Sequence, residues 1–373
     1  MTTQLHPSIP LNKLKVWVLA PHVLTHDANL DYYYDFSQSI AEYSEVFTQL
    51  NITWQWQPVT MQDYETIIDT IAAERDLQTI YPIVFNLCDG DEVNGTPGIS
   101  VVKLLAAKQL IYTGADASFY AITTSKIDMK RAFDTANIAT PKWQAILQPQ
   151  QIVTDIFSQL GTPIIVKPSV SGGSMGIGVK NVVRTVTQLK TQVQLMFQGY
   201  RGWQLTTDGL VAEVFISGPE FTVFIVGNYN DKTNAIIYPP VERVFHASLP
   251  ENEKFLSFDR LWEIYEDENP MPNAANFYEY AVPQITMHAA LQQLAWDAYV
   301  AVKGSGYTRV DIRMDTATGA LYVLEANAQC GISDDENFTS IGAILKFAKV
   351  SFTELVVQII NNSLNRCHHG YKD

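Results

Sequence analysis

The chain has 373 residues, 47% of them hydrophobic, which is enough to bury a sizeable core and to form two or three domains. Its 25 basic and 39 acidic residues give a formal net charge of −14, which opposes any large sequence-independent attraction to nucleic acid or to an anionic membrane. We therefore expect small-molecule partners, and neither nucleic acid nor membrane.

The apolar segments are too short to span a bilayer, and the first, residues 16–20, stops at Pro21 and is typical of an opening strand. We expect no signal peptide. Its three cysteines, Cys88, Cys330 and Cys367, match neither a paired disulfide framework nor a zinc spacing. Together these features predict a reducing, cytoplasmic location.

The first part of the chain alternates between apolar strands and amphipathic helices, which predicts a parallel sheet covered by helices. We assign it to an N-terminal, Rossmann-like domain over residues 1–122. The predicted strands are 14–20, 52–59, 81–88 and 111–112, and the predicted helical segments are 37–50, 61–75 and 98–110.

A helix-like segment, 117–137, leads into a second predicted domain, 123–215, and it ends near Asn137 because Pro141 follows. We expect this domain to be small and mobile. Its predicted elements are strand 163–167, a glycine-rich loop, strand 177–183, helix 187–200 and strand 209–216.

The third predicted domain covers residues 216–373. Residues 242–282 carry many charges, aromatic rings and prolines without a clear period, which predicts an irregular loop over a site. The predicted strands are 220–227, 234–241, 307–314 and 320–326, and the predicted helices are 283–303, 340–348 and 352–364.

A glycine-rich loop follows the apolar strand that ends at Lys167. Glycines let backbone N–H groups approach phosphate oxygens closely, and Lys167 adds positive charge. The loop lacks the Lys-Ser or Lys-Thr ending of a P-loop, and it joins two strands where a dinucleotide fold needs a strand and then a helix. Taken alone, a glycine cluster is also typical of a tight turn without a ligand. The candidate phosphate-binding residues of the loop are Gly172, Gly173, Ser174 and Met175.

A second polar group lies much later in the chain. Asp311, Glu325 and Asn327 offer hard oxygen ligands of the kind that magnesium takes when it also bridges phosphates. Arg309 lies two residues before the first of them and can stabilise charge that develops during a reaction. With the glycine-rich loop, this group predicts an ATP-using enzyme.

Glu213 and Glu220 flank residues 214–219, whose apolar start can stack on a purine while backbone groups pair with the adenine edge. Glu220 can then accept ribose hydroxyl protons. By itself the pattern favours two solvated carboxylates beside a strand turn. Next to the other two groups it favours a nucleotide pocket.

In this order, these residues resemble the ATP-grasp superfamily, within which the D-alanine–D-alanine ligase-like branch is the most similar. The resemblance runs from about residue 80 to 335, and earlier residues match in architecture alone. It implies an α/β fold of three α/β domains, with ATP between the central and C-terminal domains, and, by analogy, a homodimer. Further matching segments are Asn86-Leu87, Asp89-Gly90, Gly95, Tyr112-Thr113-Gly114 and Lys126.

The resemblance also implies a role for each matching residue, with ATP and two magnesium ions, which Mn²⁺ can replace, as cofactors. Lys126 and Lys167 would contact phosphates, and Lys254 would reach the terminal phosphate from a mobile loop. Arg309 would steady the developing oxyanion and the transferred phosphoryl group. Glu213, Phe215 and Ile216 would bind adenine, Leu324 would lie under the purine, Glu220 would bind ribose, and Asp311, Glu325 and Asn327 would bind magnesium.

The departures are concentrated where the branch recognises its amino-acid substrates. Residues 21–27 lack the pattern whose glutamate holds the donor amine, and Gly173 and Phe255 replace the serine and tyrosine that would bond to that glutamate. Glu336 falls where a serine for the acceptor carboxylate is expected, and like charges repel. Cys330, in the same turn, is interpreted as a packing residue and not as a nucleophile.

These features predict an ATP-dependent C–N ligase that phosphorylates an oxygen of a donor and joins it to an amino-acid amine, releasing ADP and phosphate. The most specific prediction, from similarity to ligases of that kind, is condensation of an amino acid with mycosporine-glycine. The alternatives are a true D-alanine–D-alanine ligase of cell-wall synthesis and a non-catalytic nucleotide-binding protein. The retained Arg309 argues against the last of these.

Overall fold

The structure is a computed structural model that describes residues 13–23, 35–75, 80–151, 155–200 and 202–370, with side chains as far as Arg366. Within these residues the protein is a mixed α/β fold with three β-sheets. Of residues 21–27, which lack the donor-amine pattern, residues 24–27 lie outside the described residues.

The N-terminal part forms the parallel sheet that the sequence predicts. Its elements are β1 (Leu14–Pro21), α1 (Ser37–Gln49), β2 (Thr53–Val59), α2 (Tyr64–Ala73), β3 (Tyr81–Asn86), α3 (Ile99–Ala107) and β4 (Ile111–Tyr112). The strand order is β2-β1-β3-β4, and every pair is parallel. Val16 and Val18 of β1 enter one hydrophobic core, and Trp17 and Leu19 enter another, because successive side chains point to opposite faces.

Two helices, α4 (Ala117–Thr124) and α5 (Lys126–Thr135), follow this sheet. The prediction of one helix over 117–137 is wrong at Ser125, whose backbone is extended (φ −97°, ψ 117°). The Ser125 hydroxyl lies 3.0 Å from the Ser169 hydroxyl, and the Lys126 N–H donates to the Ser169 carbonyl at 2.8 Å. The break therefore places Lys126 at a helix N-terminus.

The middle sheet is antiparallel. Its elements are β5 (Trp143–Ile146), α6 (Ile156–Leu160), β6 (Ile164–Pro168), β7 (Val182–Val183), α7 (Val186–Phe197) and β8 (Leu210–Val214), with strand order β5-β8-β6-β7. The predicted strand 177–183 is mostly a turn, since the Asn181 side chain accepts from the Gly178 N–H at 2.9 Å and bends the chain. Thr185 starts α7 by accepting from the Gln188 N–H at 3.2 Å.

The third sheet is the largest. Its elements are β9 (Glu220–Asn228), β10 (Ile236–Ile237), β11 (Val241–Phe245), α8 (Phe258–Leu261), β12 (Tyr278–Ala281), α9 (Ile285–Ala301), β13 (Ser305–Met314), β14 (Leu321–Ala328), α10 (Ser340–Ala348) and α11 (Phe352–Gly370). The order is β12-β11-β9-β13-β14, with β10 also on β9, and all pairs are antiparallel.

Two predictions for this sheet need correction. The predicted strand 234–241 is two strands, because Pro239 and Pro240 donate no backbone hydrogen bond and interrupt the pairing. The predicted irregular loop 242–282 contains most of β11 and all of β12, which pair at the sheet edge. Both strands have five residues or fewer, which is too short for a clear sequence period.

The first and third sheets share their hydrophobic cores, whereas the middle sheet has its own. Leu19 and Val310 belong to one shared core, and Phe85 and Tyr307 belong to the other. The buried residues of the middle core all fall within 146–212. The predicted domain boundaries after residues 122 and 215 remain predictions.

Polar contacts also join the first and third sheets. Gln329, just beyond β14, accepts from the Ala115 N–H at 2.7 Å and donates to the Asn86 carbonyl at 2.5 Å. Arg366 of α11 donates to the Tyr112 carbonyl at 2.6 Å. Among the described residues, no helix combines the length and apolar character that crossing a membrane requires.

Candidate active site

The predicted magnesium ligands are neighbours on two adjacent strands. Asp311 of β13 pairs with Glu325 of β14, and Arg309 pairs with Asn327. The Asn327 amide donates to Asp311 Oδ2 and to Glu325 Oε1, both at 3.2 Å. Thr222 of β9 donates to Asp311 Oδ1 at 2.8 Å. The antiparallel register thus brings together the predicted ligands.

The two carboxylates have different electrostatic surroundings. Burial raises the pKa of Asp311, which Arg309 opposes and Glu325 reinforces. Arg309 donates from Nε to Asp311 Oδ2 at 3.1 Å. Burial also disfavours the charged form of Glu325, but Lys126, Arg309 and Lys167 outweigh it and hold the pKa of Glu325 at about 2. Two adjacent carboxylates therefore depend on nearby cations to stay ionised together.

This donor set fits a hard divalent cation. In the part of the chain that the structure describes, no group of three or more His, Cys, Asp and Glu side chains could hold a metal ion. The predicted site relies instead on two carboxylates and one amide, whose oxygens suit magnesium when phosphates complete its coordination. The Asn327 amide nitrogen donates to both Asp311 and Glu325, so the amide group would have to turn over for its oxygen to join theirs around one ion.

Lys126 links the carboxylates to the glycine-rich loop. Its ammonium lies 3.6 Å from Glu325 Oε2 and donates to the Ser171 carbonyl at 3.2 Å. The Lys126 side chain is 12% exposed, so it faces a cleft and not the open surface. A phosphate group there would meet this ammonium next to a helix N-terminus, both of which favour negative charge.

The glycine-rich loop is a tight turn fastened on both sides. Gly173, Ser174 and Gly176 have left-handed backbones with φ of 54°, 62° and 72°. Trp262 donates from its indole nitrogen to the Gly173 carbonyl at 2.8 Å. The predicted loop residues Gly172, Gly173, Ser174 and Met175 thus lie together in one turn, and the Met175 N–H donates to the Gly172 carbonyl at 3.0 Å.

Glu213 is buried between two lysines. Its oxygens lie 2.6 Å from Lys167 Nζ and 2.5 Å from Lys130 Nζ. Burial alone would raise the pKa of Glu213, but the two lysines hold it at about 2. In this structure the Glu213 carboxylate positions Lys167, and its predicted contact with adenine stays a prediction.

Glu220 lies between two buried arginines. Arg243 donates to its Oε1, and Arg313 Nη2 lies 3.2 Å from its Oε2. Arg243 also donates to the Tyr280 hydroxyl at 3.3 Å. A ribose hydroxyl would have to use the lone pairs that the arginines leave free, and this predicted role stays a prediction.

The predicted purine surface lies where the chain passes from β8 to β9. Phe215 and Ile216 are buried there, and the Phe215 ring meets the Phe255 ring edge-on at a centroid distance of 5.8 Å. Leu324 is half-buried. It lies at an irregularity between β13 and β14, where Asp311 pairs with Glu325 and Ile312 pairs with Val323, so that Leu324 is left out of the register. Their contact with adenine stays a prediction.

Lys254 is placed differently from the other predicted lysines. Its ammonium pairs with Glu251, three residues earlier, and not with Asp311 or Glu325. Its backbone carbonyl accepts from Arg313. A contact with the terminal phosphate would require the side chain to leave Glu251, and it stays a prediction.

The structure shows the surroundings of Glu336 and Cys330, two residues that depart from the branch pattern. Glu336 pairs with Lys346 at 2.8 Å, and both side chains are close to half exposed. Cys330 is buried, and burial, opposed by Arg309, raises its pKa to about 12. The Cys330 thiol is therefore neutral at physiological pH, in agreement with the packing interpretation.

Sequence reasoning missed three charged residues of this site. Lys130 follows Lys126 by one helical turn, and Arg313 follows Asp311 by two residues and so points to the same face of β13. Each therefore had a periodic signal. Arg243 lay in a segment predicted to be irregular, where no period pointed to it.

The middle sheet with its glycine turn, and the large antiparallel sheet with its paired carboxylates, define the class of the protein, which is an ATP-grasp enzyme. Two solved structures of the D-alanine–D-alanine ligase from Bacillus anthracis, the first of them complexed with ATP, have TM-scores of 0.65 and 0.64. They are 17% identical in sequence, and the matches cover 95% and 96% of this chain and 99% of those chains. This likeness confirms the predicted fold.

Residues 133–361, more than half of the chain, match the family described as D-ala D-ala ligase C-terminus. D-alanine–D-alanine ligase B of Xanthomonas campestris is 28% identical over 289 residues, which cover 75% of this chain and 78% of the relative. The D-alanine–D-alanine ligase of Marinobacter nauticus is 28% identical over 261 residues, which cover 70% of this chain and 69% of that relative. The chain belongs to the D-alanine–D-alanine ligase family of ATP-dependent C–N ligases, which confirms the predicted branch and enzyme class.

Proposed function

We propose that this protein uses ATP to phosphorylate an oxygen of a donor and then joins that donor to an amino-acid amine, releasing ADP and phosphate. The observation that carries the proposal is the position of Lys126. Its ammonium lies between the Ser171 carbonyl and the Glu325 carboxylate. One cation thus joins the predicted phosphate-binding turn to the predicted magnesium ligands, as a metal-bound triphosphate would require.

Phosphoryl transfer depends on positioning and positive charge more than on covalent help from the protein. Lys126 and Lys167 would hold phosphate oxygens, and Arg309 would stabilise charge on the donor oxygen and on the transferred group. Magnesium, or Mn²⁺ in its place, held by Asp311, Glu325 and Asn327 would neutralise phosphate charge when bound.

A phosphorylated donor also needs protection from water. Trp262 connects the segment around α8 to the glycine turn, and Phe258 donates its backbone N–H to the Ile177 carbonyl at 2.8 Å. This segment therefore contacts the turn at Gly173 and Ile177, whereas Lys126 contacts it at Ser171. We propose that it excludes water while the amine attacks.

Two substrate classes are supported by different observations. The relatives named above support D-alanine as both donor and acceptor. Phe255, Gly173 and Glu336 support changed substrates, because each removes or reverses a polar group with which the branch holds its amino acids. We propose changed substrates, and in the most specific form the condensation of an amino acid with mycosporine-glycine.

ADP release from magnesium-ATP distinguishes these substrates. The purified protein is supplied with D-alanine alone, and then with single L-amino acids with and without mycosporine-glycine. Turnover that needs mycosporine-glycine and an L-amino acid supports the specific proposal. Turnover with D-alanine alone would establish the cell-wall reaction instead, and ATP binding without any turnover would favour the non-catalytic alternative.

A further inference from the structure

Arg313 contacts three of the segments that are predicted to bind the nucleotide. Its Nη1 donates to the Ile216 carbonyl at 3.0 Å. Its Nη2 lies 3.2 Å from Glu220 Oε2 and also donates to the Lys254 carbonyl. The guanidinium carbon lies 5.3 Å from the centroid of the Phe215 ring. One side chain therefore joins the predicted adenine, ribose and terminal-phosphate segments.

These contacts depend on the shape of the arginine side chain. Arg313 is 3% exposed, so solvent screens its pairing with Glu220 only weakly. Its Nε finds no hydrogen-bond partner among the described residues, and the two Nη atoms make all of its hydrogen bonds. A planar guanidinium can serve several acceptors at fixed angles, which an ammonium on a flexible stem cannot.

The Lys254 segment is also attached to the glycine turn, where the Phe258 N–H donates to the Ile177 carbonyl and the Trp262 indole donates to the Gly173 carbonyl, both at 2.8 Å. Phe255 packs against Phe215, and the Lys254 ammonium pairs with Glu251 on its own segment. Arg313 provides the charged contact between Lys254 and the body of the third sheet. Without that contact, the segment would still be held at Phe255, Phe258 and Trp262, but the Lys254 carbonyl itself would lose its hydrogen bond to the third sheet.

We propose that Arg313 is a positioning residue, which ties the Lys254 segment to the adenine and ribose end of the pocket. The contact of Lys254 with the terminal phosphate then depends on Arg313. This inference rests on the proposed function, because it takes the nucleotide to lie along residues 213–220 with its phosphates toward Lys254.

Arg243 provides a matched control. It is also buried, at 4% exposure, and it donates to the same carboxylate, Glu220. It also donates to the hydroxyl of Tyr280, which belongs to β12 and not to the Lys254 segment. If Arg313 acted through Glu220 alone, replacing either arginine would have the same effect on every adenine nucleotide.

The test compares the affinity for AMP with that for a non-hydrolysable ATP analogue, each measured by calorimetry with magnesium. The affinity for the ATP analogue divided by the affinity for AMP isolates the binding due to the outer phosphates. Arg313→Met should lower this ratio by about tenfold, as expected for loss of a charge-assisted contact. In a Lys254→Ala background it should change the ratio little, because coupled residues are not additive. Arg243→Met should weaken both ligands by the same factor.

Equal weakening of both ligands by Arg313→Met, or an undiminished effect in the Lys254→Ala background, would overturn the inference. Arg313→Lys keeps the charge but loses the planar fork, so it should lower the ratio as well, and it replaces Arg313→Met if thermal unfolding shows that variant to be misfolded. A wild-type protein that binds neither nucleotide would contradict the proposed function itself, whatever the variants do.

Discussion

At the scale of single residues, the main feature of the site is that charged side chains are buried beside one another. Asp311, Glu325 and Asn327 were predicted from sequence as oxygen ligands for magnesium, and the structure brings them together on two strands, while their binding of magnesium stays a prediction. Lys130 was missed although it follows Lys126 by one helical turn, because a lysine on an amphipathic helix usually faces solvent. Its burial beside Glu213 depends on the packing of α5 against the middle sheet.

Replacing Arg309 tests the reacting centre. Arg309→Ala should reduce turnover by about 100-fold or more, since it removes charge stabilisation at the reacting group, while ATP still binds. Steady-state kinetics and calorimetry measure the two effects. Arg131→Ala, an exposed arginine paired with Asp128 on α5, serves as the control and should leave turnover unchanged. Unchanged turnover in Arg309→Ala would remove that residue from the site.

The Glu213 pairs should make stability depend on pH. The pKa of Glu213 is about 2 in the folded protein against an ordinary 4.5, so its contribution is complete above pH 4.5 and is lost as the pH falls toward 2. Glu213→Gln should therefore lower the free energy of unfolding by about 3 kcal/mol at pH 7, because it leaves Lys130 buried without a counter-charge. Urea denaturation from pH 7 to pH 3 measures the difference, which should shrink below pH 4.5.

The exposed pair between Glu336 and Lys346 is the control for this effect. Glu336→Gln should change the free energy of unfolding by less than about 1 kcal/mol at any pH, because solvent screens an exposed pair. An undiminished difference between wild type and Glu213→Gln at pH 3 would contradict a stabilising role for the buried ion pairs.

At the scale of elements, long periodic segments could be predicted and short ones could not. The alternation of the N-terminal residues predicted the parallel sheet, and α9, α10 and β13 lie where their periods place them. The break between α4 and α5 was missed because it depends on Ser169, which is distant in sequence and bonds to Ser125 and Lys126. The pairing of β11 with β12 was missed because both are short.

The glycine turn offers a pair of matched substitutions. At Gly176, φ is 72° and an added Cβ would lie 2.6 Å from Leu205 Cδ1, so Gly176→Ala should cost about 1–2 kcal/mol of stability. At Gly172 an added Cβ meets nothing within 4 Å, so Gly172→Ala should change stability by less than about 0.5 kcal/mol. Thermal unfolding compares them, and equal losses would show that steric crowding at Gly176 has no effect.

At the scale of the whole molecule, the main feature is that two of the three sheets share hydrophobic cores. The first and third sheets are packed on common cores, and the middle sheet is packed on its own. The element patterns of the sequence predicted three units. They could not show that two of these units are joined, because Gln329 and Arg366 make contacts with residues more than 200 positions away.

We expect Arg366 to stabilise the contact between the first and third sheets. It donates to the Gly114 carbonyl at 2.8 Å and to the Ser305 hydroxyl at 3.1 Å, in addition to Tyr112. Arg366→Met would leave these acceptors without their charged donor and should lower the free energy of unfolding by about 2 kcal/mol. Chemical denaturation measures it. Asn365→Ala, at the exposed neighbouring position, is the control, and an equal effect there would show that Arg366 has no special part.

The contacts of Gln329 determine which parts of the site can move relative to each other. Asn327 is two residues from Gln329, so the predicted metal ligands travel with the N-terminal sheet, while Lys167 travels with the middle one. The chain enters the middle sheet through residues 136–142 and leaves it through 215–219. A rotation about these two connections would change the separation of Lys167 from Asp311, and it would also displace Glu213 on β8 from Lys130 on α5. Spectroscopic labels, one on the middle sheet and one on the third sheet, could therefore measure opening and closure as a change in the distance between Lys167 and Asp311.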